Sequence, residues 1–410
     1  MSDFQTKLEQ YAELAVRVGV NIQPGQRFII NAPIHAAEFV RLVTRKAYEA
    51  GAILVKVNWN DDQITRLRYE LAPDESFEIG PKWYAAEMEE LAVDGGAVLH
   101  VVADDPDLLK GIDSKRIAAS QKASSTVMSK YREYVQSDKL SWSIVAVPSE
   151  SWAAKVFPDE SPEAQISTMW DYIFKSVRVG DGDAVAAWKE HVKTLNEKSD
   201  YLNKKAYKQL HYVAPGTDLT IGLPKGHIWA AADSISQRGD AFIANMPTEE
   251  VFTAPLKTDV NGYVSSTKPL SYGGTIIDNF KLTFKDGRIV GVEAEQGQET
   301  LEHLVEMDEG AHYLGEVALV PHRSPISMSN ILYYNTLFDE NASNHLAIGS
   351  AYAFNLQGGK ELSREELTER GLNNSLVHVD FMIGSGEMDI YGITEDGQQE
   401  PVFKQGGWAF

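Results

Sequence analysis

The sharpest alternation of apolar and polar positions lies near the end of the chain, in residues 374–383. Every second side chain there is apolar: Val377, Val379, Phe381 and Ile383. A period of two predicts a strand whose apolar face packs on a core. His378 and Asp380 share the opposite face, about 7 Å apart along the strand. An imidazole and a carboxylate pointing the same way are metal ligands by type, although a solvated strand face fits the same pair.

The first half of the chain alternates between two kinds of apolar pattern. Helical spacing predicts helices over residues 4–18, 35–50, 83–93, 117–134 and 183–209. Short apolar runs predict strands over residues 28–30, 53–57, 95–102 and 141–147. Strands that alternate with helices form parallel sheets. We therefore expect an N-terminal α/β domain with a mostly parallel sheet over residues 1–210.

The pattern changes from His211 onward. Strand-like segments and glycine-rich turns dominate, with predicted strands at 218–221, 278–284 and 288–294. Lys285-Asp-Gly-Arg288 is typical of a hairpin turn between the last two. Residues 300–308 are typical of a short acidic helix. This mixture predicts a C-terminal α+β domain over residues 211–410.

Composition narrows the classes of function. Among 410 residues, 59 acids oppose 38 bases, which gives a net charge of −21. Such a chain repels nucleic acid and anionic membrane surfaces. It contains no cysteine, so disulfides, thiolate catalysis and cysteine-bound zinc are excluded, and any metal site must use His, Asp and Glu. Neither a signal peptide nor a membrane span is visible, and we expect a cytoplasmic protein.

The sequence lacks the common cofactor and nucleophile motifs. We find no phosphate-binding P-loop, no complete dinucleotide fingerprint and no G-x-S-x-G elbow. His35 with Glu38, and His303 beside Glu302 and Glu306, have spacings that a metal would accept. We interpret both groups as charged surface positions of helices, since ion pairs and solvated faces use the same residues.

Four segments of the second half place metal-type ligands in apolar or glycine-rich contexts. Their candidate ligands and neighbours are Glu249, Glu250, Glu316, Asp339, Glu340, His345, Tyr352, His378 and Asp380. Glu316 precedes the run Val317–Val320, where a carboxylate is costly to bury without a cation or a donor. Two histidines with several carboxylates suit Zn²⁺, Co²⁺ or Mn²⁺, and their number favours a two-metal site. Spacing alone leaves an enzyme and a metal-binding protein without catalytic activity both open, with an oxidoreductase behind them.

The same segments carry a resemblance to a known family. The sequence resembles the bacterial thermophilic-type metalloaminopeptidases that include aminopeptidases T, S and II. The similarity covers essentially the whole chain and is densest in residues 245–255, 308–321, 335–349 and 378–384. No ligand position departs from the family pattern.

The resemblance implies a dinuclear aminopeptidase that removes the N-terminal residue of peptides through a metal-activated water. Its metal ligands would be Glu250, Glu316, Glu340, His345, His378 and Asp380. Glu316 would bridge the two ions, and Tyr352 would stand beside them as a hydrogen-bond donor, although ordinary packing also explains a tyrosine there. Glu249 is a candidate proton acceptor or, equally, a structural salt-bridge partner. The family also implies a homodimer that acts on peptides with a free N-terminus.

Overall fold

The structure is a computed structural model that describes residues 3–103, 105–180, 182–272 and 275–410. The chain forms two compact units. The first comprises Met1–His191 and Asp233–Pro247, and the second comprises Val192–Ala232 and Thr248–Phe410. The division into domains at residues 210 and 211 stays a prediction.

The helices and strands are numbered in chain order. The helices are α1 (Asp3–Leu14), α2 (Ala37–Glu49), α3 (Asp62–Leu71), α4 (Lys82–Val93), α5 (Ser114–Val127), α6 (Ser129–Gln136), α7 (Glu150–Val156), α8 (Pro162–Ser176), α9 (Ala184–Lys205), α10 (Gln298–Val305), α11 (Pro325–Ser329), α12 (Thr336–Asp339) and α13 (Arg364–Glu369). The strands are β1 (Arg27–Pro33), β2 (Leu54–Asn60), β3 (Ala97–Val102), β4 (Ser141–Ala146), β5 (Gln209–Ala214), β6 (Thr217–Gly222), β7 (Asp233–Ile235), β8 (Ala241–Ile243), β9 (Val251–Thr253), β10 (Val260–Ser265), β11 (Leu270–Tyr272), β12 (Thr275–Lys285), β13 (Arg288–Gln296), β14 (Leu314–Leu319), β15 (His345–Gly349), β16 (His378–Met382), β17 (Asp389–Ile393), β18 (Gln399–Lys404) and β19 (Gly407–Trp408).

A four-stranded parallel sheet in the order β2-β1-β3-β4 forms the centre of the first unit. Helices connect its strands, as parallel pairing requires. Part of the hydrophobic core lies between β3 and helices α4 and α6, where Val98, Leu91 and Tyr131 are buried together. The α/β prediction for the N-terminal region is confirmed.

Two of the predicted helices have different ends in the structure. The helix expected over 117–134 is two helices, α5 and α6, which meet at Met128. Near that break the Thr126 hydroxyl donates to the carbonyl of Lys122, a side-chain bond that competes with helical structure. The helix expected to reach 209 ends at Lys205, because Ala206 adopts a left-handed conformation with φ 45° and β5 follows.

Antiparallel sheets dominate the second unit. In its described residues, β11-β12-β10-β6-β5-β17-β18-β19 form one sheet with β13 paired to β12. A smaller four-stranded sheet has the order β16-β15-β14-β9. Helices α10 to α13 complete an α+β arrangement, and this prediction is also confirmed. No helix within the described ranges is both long enough and apolar enough to cross a membrane.

Candidate metal centre

The small antiparallel sheet carries most of the predicted ligands on one face. Its pairing places Glu316 of β14 opposite Ala347 of β15, and Ala347 opposite Asp380 of β16. Because strand side chains alternate, the next residue of each strand, such as Leu346 or Phe381, points into the core. The methyl group of Ala347 leaves the two carboxylates room to converge above the middle strand.

Two sets of three residues converge there and share one member. Glu250, Glu316 and His345 form the first set, and Glu316, His378 and Asp380 form the second. Within each set the possible ligand atoms lie within 4.8 Å of one another. Glu316 belongs to both sets, so its carboxylate lies between them.

The two oxygens of Glu316 face different histidines. Oε1 lies 3.4 Å from Nε2 of His345, and Oε2 lies 3.6 Å from Nε2 of His378. Beyond them, Glu250 Oε2 is 3.1 Å from His345 Nε2, and Asp380 Oδ1 is 3.5 Å from His378 Nε2. This is the arrangement that a bridging carboxylate between two cations requires.

Backbone carbonyls orient both imidazoles. Nδ1 of His345 lies 3.2 Å from the carbonyl of Ser343, and Nδ1 of His378 lies 2.7 Å from the carbonyl of Ser350. In the tautomer that donates from Nδ1, Nε2 carries a lone pair directed at the carboxylates. Hydrogen bonds of this kind fix the ring orientation of metal-binding histidines.

Buried oxygen atoms show that the site suits cations. Glu250 Oε2 and Asp380 Oδ1 accept no hydrogen bond from the part of the chain that the structure describes. Glu316 is only 5% exposed and His345 only 1% exposed. Several carboxylates held together out of water are costly without positive charge. Imidazole and carboxylate donors suit Zn²⁺, Co²⁺ or Mn²⁺, and these residues therefore fit divalent ions.

The protonation of the metal-free cluster reflects the same crowding. Burial, followed by the carboxylates of Asp380 and Glu250, raises the pKa of Glu316 to about 7 against the opposing effect of His345. Burial lowers the pKa of His378, but Asp380 and Glu316 outweigh it and bring that pKa to about 10. Without metal, bound protons therefore offset the negative charge of the carboxylates. Metal ions would have to displace these protons in order to bind.

Glu340 belongs to neither set of three. It begins a short turn after α12 and lines a cavity of about 30 Å³ together with Asp380. Burial and the carboxylates of Glu250 and Asp380 raise its pKa well above the usual range, so it lies in the field of the cluster. Neighbouring Asp339 has a different role, because its oxygens accept the backbone N–H groups of Tyr333 at 2.8 Å and Asn335 at 3.0 Å.

Asn341 is a positioning residue that the sequence analysis missed. It is fully buried, and its Oδ1 accepts the backbone N–H of Glu249 at 2.7 Å. Its Nδ2 donates to the carbonyl of Leu337 at 3.0 Å. Asn341 thereby links the Glu249–Glu250 turn to the α12 turn. The only signal in the sequence was a polar residue next to Glu340.

Tyr352 lies beside the second set of ligands. Its ring centroid is 4.9 Å from that of His378, and it stacks on Phe354 at 5.2 Å. Burial, followed by the nearby carboxylates of Glu316 and Asp380, raises its pKa well above the usual value. The phenol is therefore protonated at neutral pH and available as a hydrogen-bond donor.

The remaining candidates lie in different environments. Glu249 is buried, with 3% of its surface exposed, directly before Glu250. His35, Glu38 and His303 are exposed, as expected for helix surfaces. None of these belongs to a three-ligand group in the described residues.

Comparison with known proteins identifies the family of the chain. The family model described as thermophilic metalloprotease (M29) matches residues 4–408. Aminopeptidase AmpS of Bacillus subtilis (strain 168) is 60% identical over 410 residues, covering 100% of both chains. Aminopeptidase 2 of Geobacillus stearothermophilus is 52% identical over 410 residues, which are 100% of this chain and 99% of that one. The solved structure of wild-type AmpT from Thermus thermophilus has a TM-score of 0.94 at 41% identity, covering 99% of this chain and 100% of that chain.

Proposed function

The chain belongs to the thermophilic metalloprotease family M29 and is a metalloaminopeptidase, and from this premise we propose that it uses two divalent ions bridged by Glu316. The observation that carries the proposal is the membership of Glu316 in both three-ligand sets. Glu250 and His345 complete one site, and His378 and Asp380 complete the other.

Glu340 is the sixth ligand in this proposal. Its support is electrostatic, because the carboxylates of Glu250 and Asp380 are near enough to raise its pKa. Zn²⁺, Co²⁺ and Mn²⁺ all suit this donor set, and elemental analysis of the purified protein identifies the native ion.

Paired divalent ions supply an activated water and a polarised scissile carbonyl when bound. The residues of the chain supply the rest of the chemistry. Tyr352 donates its phenolic hydrogen to the oxygen that becomes negative during attack on the carbonyl. Glu249, a buried carboxylate adjacent to Glu250, is our candidate for the group that accepts the proton of the water.

The substrate class rests on the relatives of the chain, which are named aminopeptidases. A peptide with a free N-terminus brings an amino group that one of the ions or a carboxylate of the site would hold. An acetylated N-terminus offers no basic nitrogen for this contact. We therefore propose that cleavage is confined to the first peptide bond.

The assembly rests on the family resemblance. We propose a homodimer, located in the cytoplasm. Sedimentation at micromolar concentration tests the assembly, because a particle of only 45.5 kDa would contradict it.

Hydrolysis of leucine p-nitroanilide tests the function. The protein is dialysed against a chelator and assayed before and after addition of Zn²⁺, Co²⁺ or Mn²⁺. We expect activity only with metal, at a saturating content of two ions per chain. N-acetyl-leucine p-nitroanilide is the matched control, for which we expect no turnover. Full activity of the metal-free protein, or saturation at a single ion, would contradict the two-ion proposal.

A further inference from the structure

A second cavity lies in the first unit, at the carboxyl edge of the parallel sheet. It measures about 1070 Å³ and is lined by residues at or just beyond the ends of all four strands, among them Pro33, Asn60, Asp105 and Val147. A volume near this size is typical of small-molecule sites. The cavity is lined entirely by residues of the first unit, whereas the metal ligands belong to the second.

The topology of the sheet singles out this position. Strand order β2-β1-β3-β4 means that the chain leaves β1 for β2 on one side and returns to β3 on the other. Open parallel sheets bind ligands in the crevice beyond the strand ends at such a reversal. A smaller cavity of about 170 Å³ lies between β1 and β3 and shares Pro33, Asn60 and Asp62 with the larger one. Together the two cavities form one crevice, which we call the sheet-edge crevice.

A row of polar side chains crosses three strands, and two of its members, Asn31 and His100, line the smaller cavity of the sheet-edge crevice. Asn58, Asn31 and His100 are in register on β2, β1 and β3. Asn58 Nδ2 and the Tyr84 hydroxyl both donate to Asn31 Oδ1, at 3.1 and 3.2 Å. The centre of a parallel sheet is normally apolar. A polar row there costs stability unless its groups are satisfied, and such local exceptions mark functional sites.

His100 is the member of this row on β3. Asn31 is its one hydrogen-bond partner among the described residues, through Nδ1 at 3.5 Å. His100 lines the smaller cavity. Burial lowers the pKa of His100 to about 4, so the imidazole is neutral and adds no positive charge.

The charged residues of the lining determine whether the crevice favours a cation or an anion. Three helices begin at the crevice, and each has a carboxylate in its first turn: Glu38, Asp62 and Glu150. A carboxylate in the first turn opposes the attraction that a helix N-terminus has for phosphate. Arg66 is engaged by Glu70 at 2.6 Å and by the carbonyl of Leu108 at 2.8 Å. An anionic ligand is therefore disfavoured, and a cation is favoured.

Asp62 is the carboxylate best placed to bind that cation. It lies where the two cavities meet, and burial, followed by the carboxylates of Asp105 and Asp61, raises its pKa. A bound positive charge would relieve this repulsion. Nearby walls are apolar and aromatic, formed by Leu8, Phe39, Ile166 and Trp170. The crevice thus offers one charged end and one apolar side.

We propose that the sheet-edge crevice binds a primary ammonium group carried on an apolar body. Asp62 pairs with the ammonium, the polar row of Asn31 and His100 lies beneath it, and Phe39 and Trp170 contact the body. Aliphatic monoamines and aliphatic polyamines share this chemistry. The crevice is lined by residues of the first unit and the metal ligands belong to the second, so the proposal does not depend on the two-ion mechanism.

Calorimetric titration of the full-length, metal-loaded protein tests the proposal. Isopentylamine is the probe, because it has the ammonium and an apolar body but no scissile bond. Isopentanol, of the same shape without the charge, is its control. We expect saturable binding of the amine only, weakened at least about tenfold by Asp62→Asn, since a charge-assisted bond is lost. Asp159→Asn makes the same change at an exposed position outside the crevice and should leave binding unchanged.

Two further variants distinguish the possible failures. Glu38→Gln alters an exposed carboxylate of the lining and should weaken binding with little effect on folding. His378→Ala alters the metal centre and should leave amine binding intact. Loss of binding in His378→Ala with full binding in Asp62→Asn would place the amine at the metal centre and overturn the proposal. Absence of saturable binding by the parent up to about 10 mM amine would also overturn it.

The class of amine is distinguished by the same titration with spermidine. Tighter binding of spermidine than of isopentylamine identifies a polyamine site, and weaker binding identifies a monoamine site. Either order supports the proposed chemistry.

Discussion

Replacing Glu316 with glutamine should change metal-free and metal-loaded protein in opposite directions. The substitution keeps the shape of the side chain, but only one of its two terminal atoms can still act as a ligand. In the structure each oxygen serves a different set, facing His345 at 3.4 Å and His378 at 3.6 Å. Glutamine therefore leaves one set with a missing member. We expect metal content to fall from two ions to one or fewer.

The metal-free protein should gain stability from the same change. Folding raises the pKa of Glu316 from 4.5 to about 7, so the native state binds the proton more tightly than the unfolded chain. This favourable contribution is present below pH 4.5 and is lost as the pH rises to 7. At pH 8 the ionised carboxylate costs up to about 3 kcal/mol, because each pKa unit corresponds to about 1.4 kcal/mol. Neutral glutamine carries no such cost.

Calorimetry at pH 8 and pH 4.5, with and without metal, measures both effects. We expect metal-free Glu316→Gln to unfold at a higher temperature than the metal-free parent at pH 8, and the difference to shrink towards pH 4.5. With metal the order should reverse, since ligand binding stabilises the parent more. Turnover should fall at least about a thousandfold, as expected when charge stabilisation of the transition state is lost. A variant that binds two ions and retains parental turnover would refute the bridging role of Glu316.

Three other predictions concern separate parts of the protein. His378→Ala should abolish turnover and lower metal content, whereas Phe381→Ala, from the buried face of the same strand, should cost about 3–5 kcal/mol by denaturant unfolding and keep the metal. Tyr352→Phe should lower kcat about 100-fold with little change in KM in steady-state assays, and an unchanged kcat would exclude the proposed hydrogen bond. The pKa of His100 is about 4 in the folded protein and 6.5 in the unfolded chain. Its contribution to stability, up to about 3 kcal/mol, is therefore present above pH 6.5 and is lost on acidification to pH 4. His100→Gln should flatten the curve of unfolding free energy against pH in this range.

The strand that carries His378 and Asp380 was predictable because its information is local. Alternation fixes which side chains share a face, and the structure places Phe381 in the core as expected. The parallel sheet of the first unit was predictable for a similar reason, since strand and helix patterns alternate there. Both predictions needed only a few consecutive residues.

Convergence of the ligands was not predictable from pattern alone. It depends on the register that puts Ala347 between Glu316 and Asp380, and on the Asn341 hydrogen bond that holds the Glu249–Glu250 turn. Contacts between segments that are distant in the sequence set this register, and the alternation of residues within one strand carries no information about those contacts. The ligand set is implied by the family resemblance and not by the pattern.

The metal centre and the sheet-edge crevice share one signal in the sequence. In each, a polar residue takes an inward position of an otherwise apolar strand: Glu316 before Val-Ala-Leu-Val, and His100 within Ala-Val-Leu-His-Val-Val. Burying such groups costs free energy, so a fold keeps them only where partners or ligands satisfy them. At the metal centre the crowded carboxylates and imidazoles indicate a metal ion as the ligand. At the crevice the neutral polar row specifies only hydrogen bonding, and the surrounding carboxylates are what specify a cation.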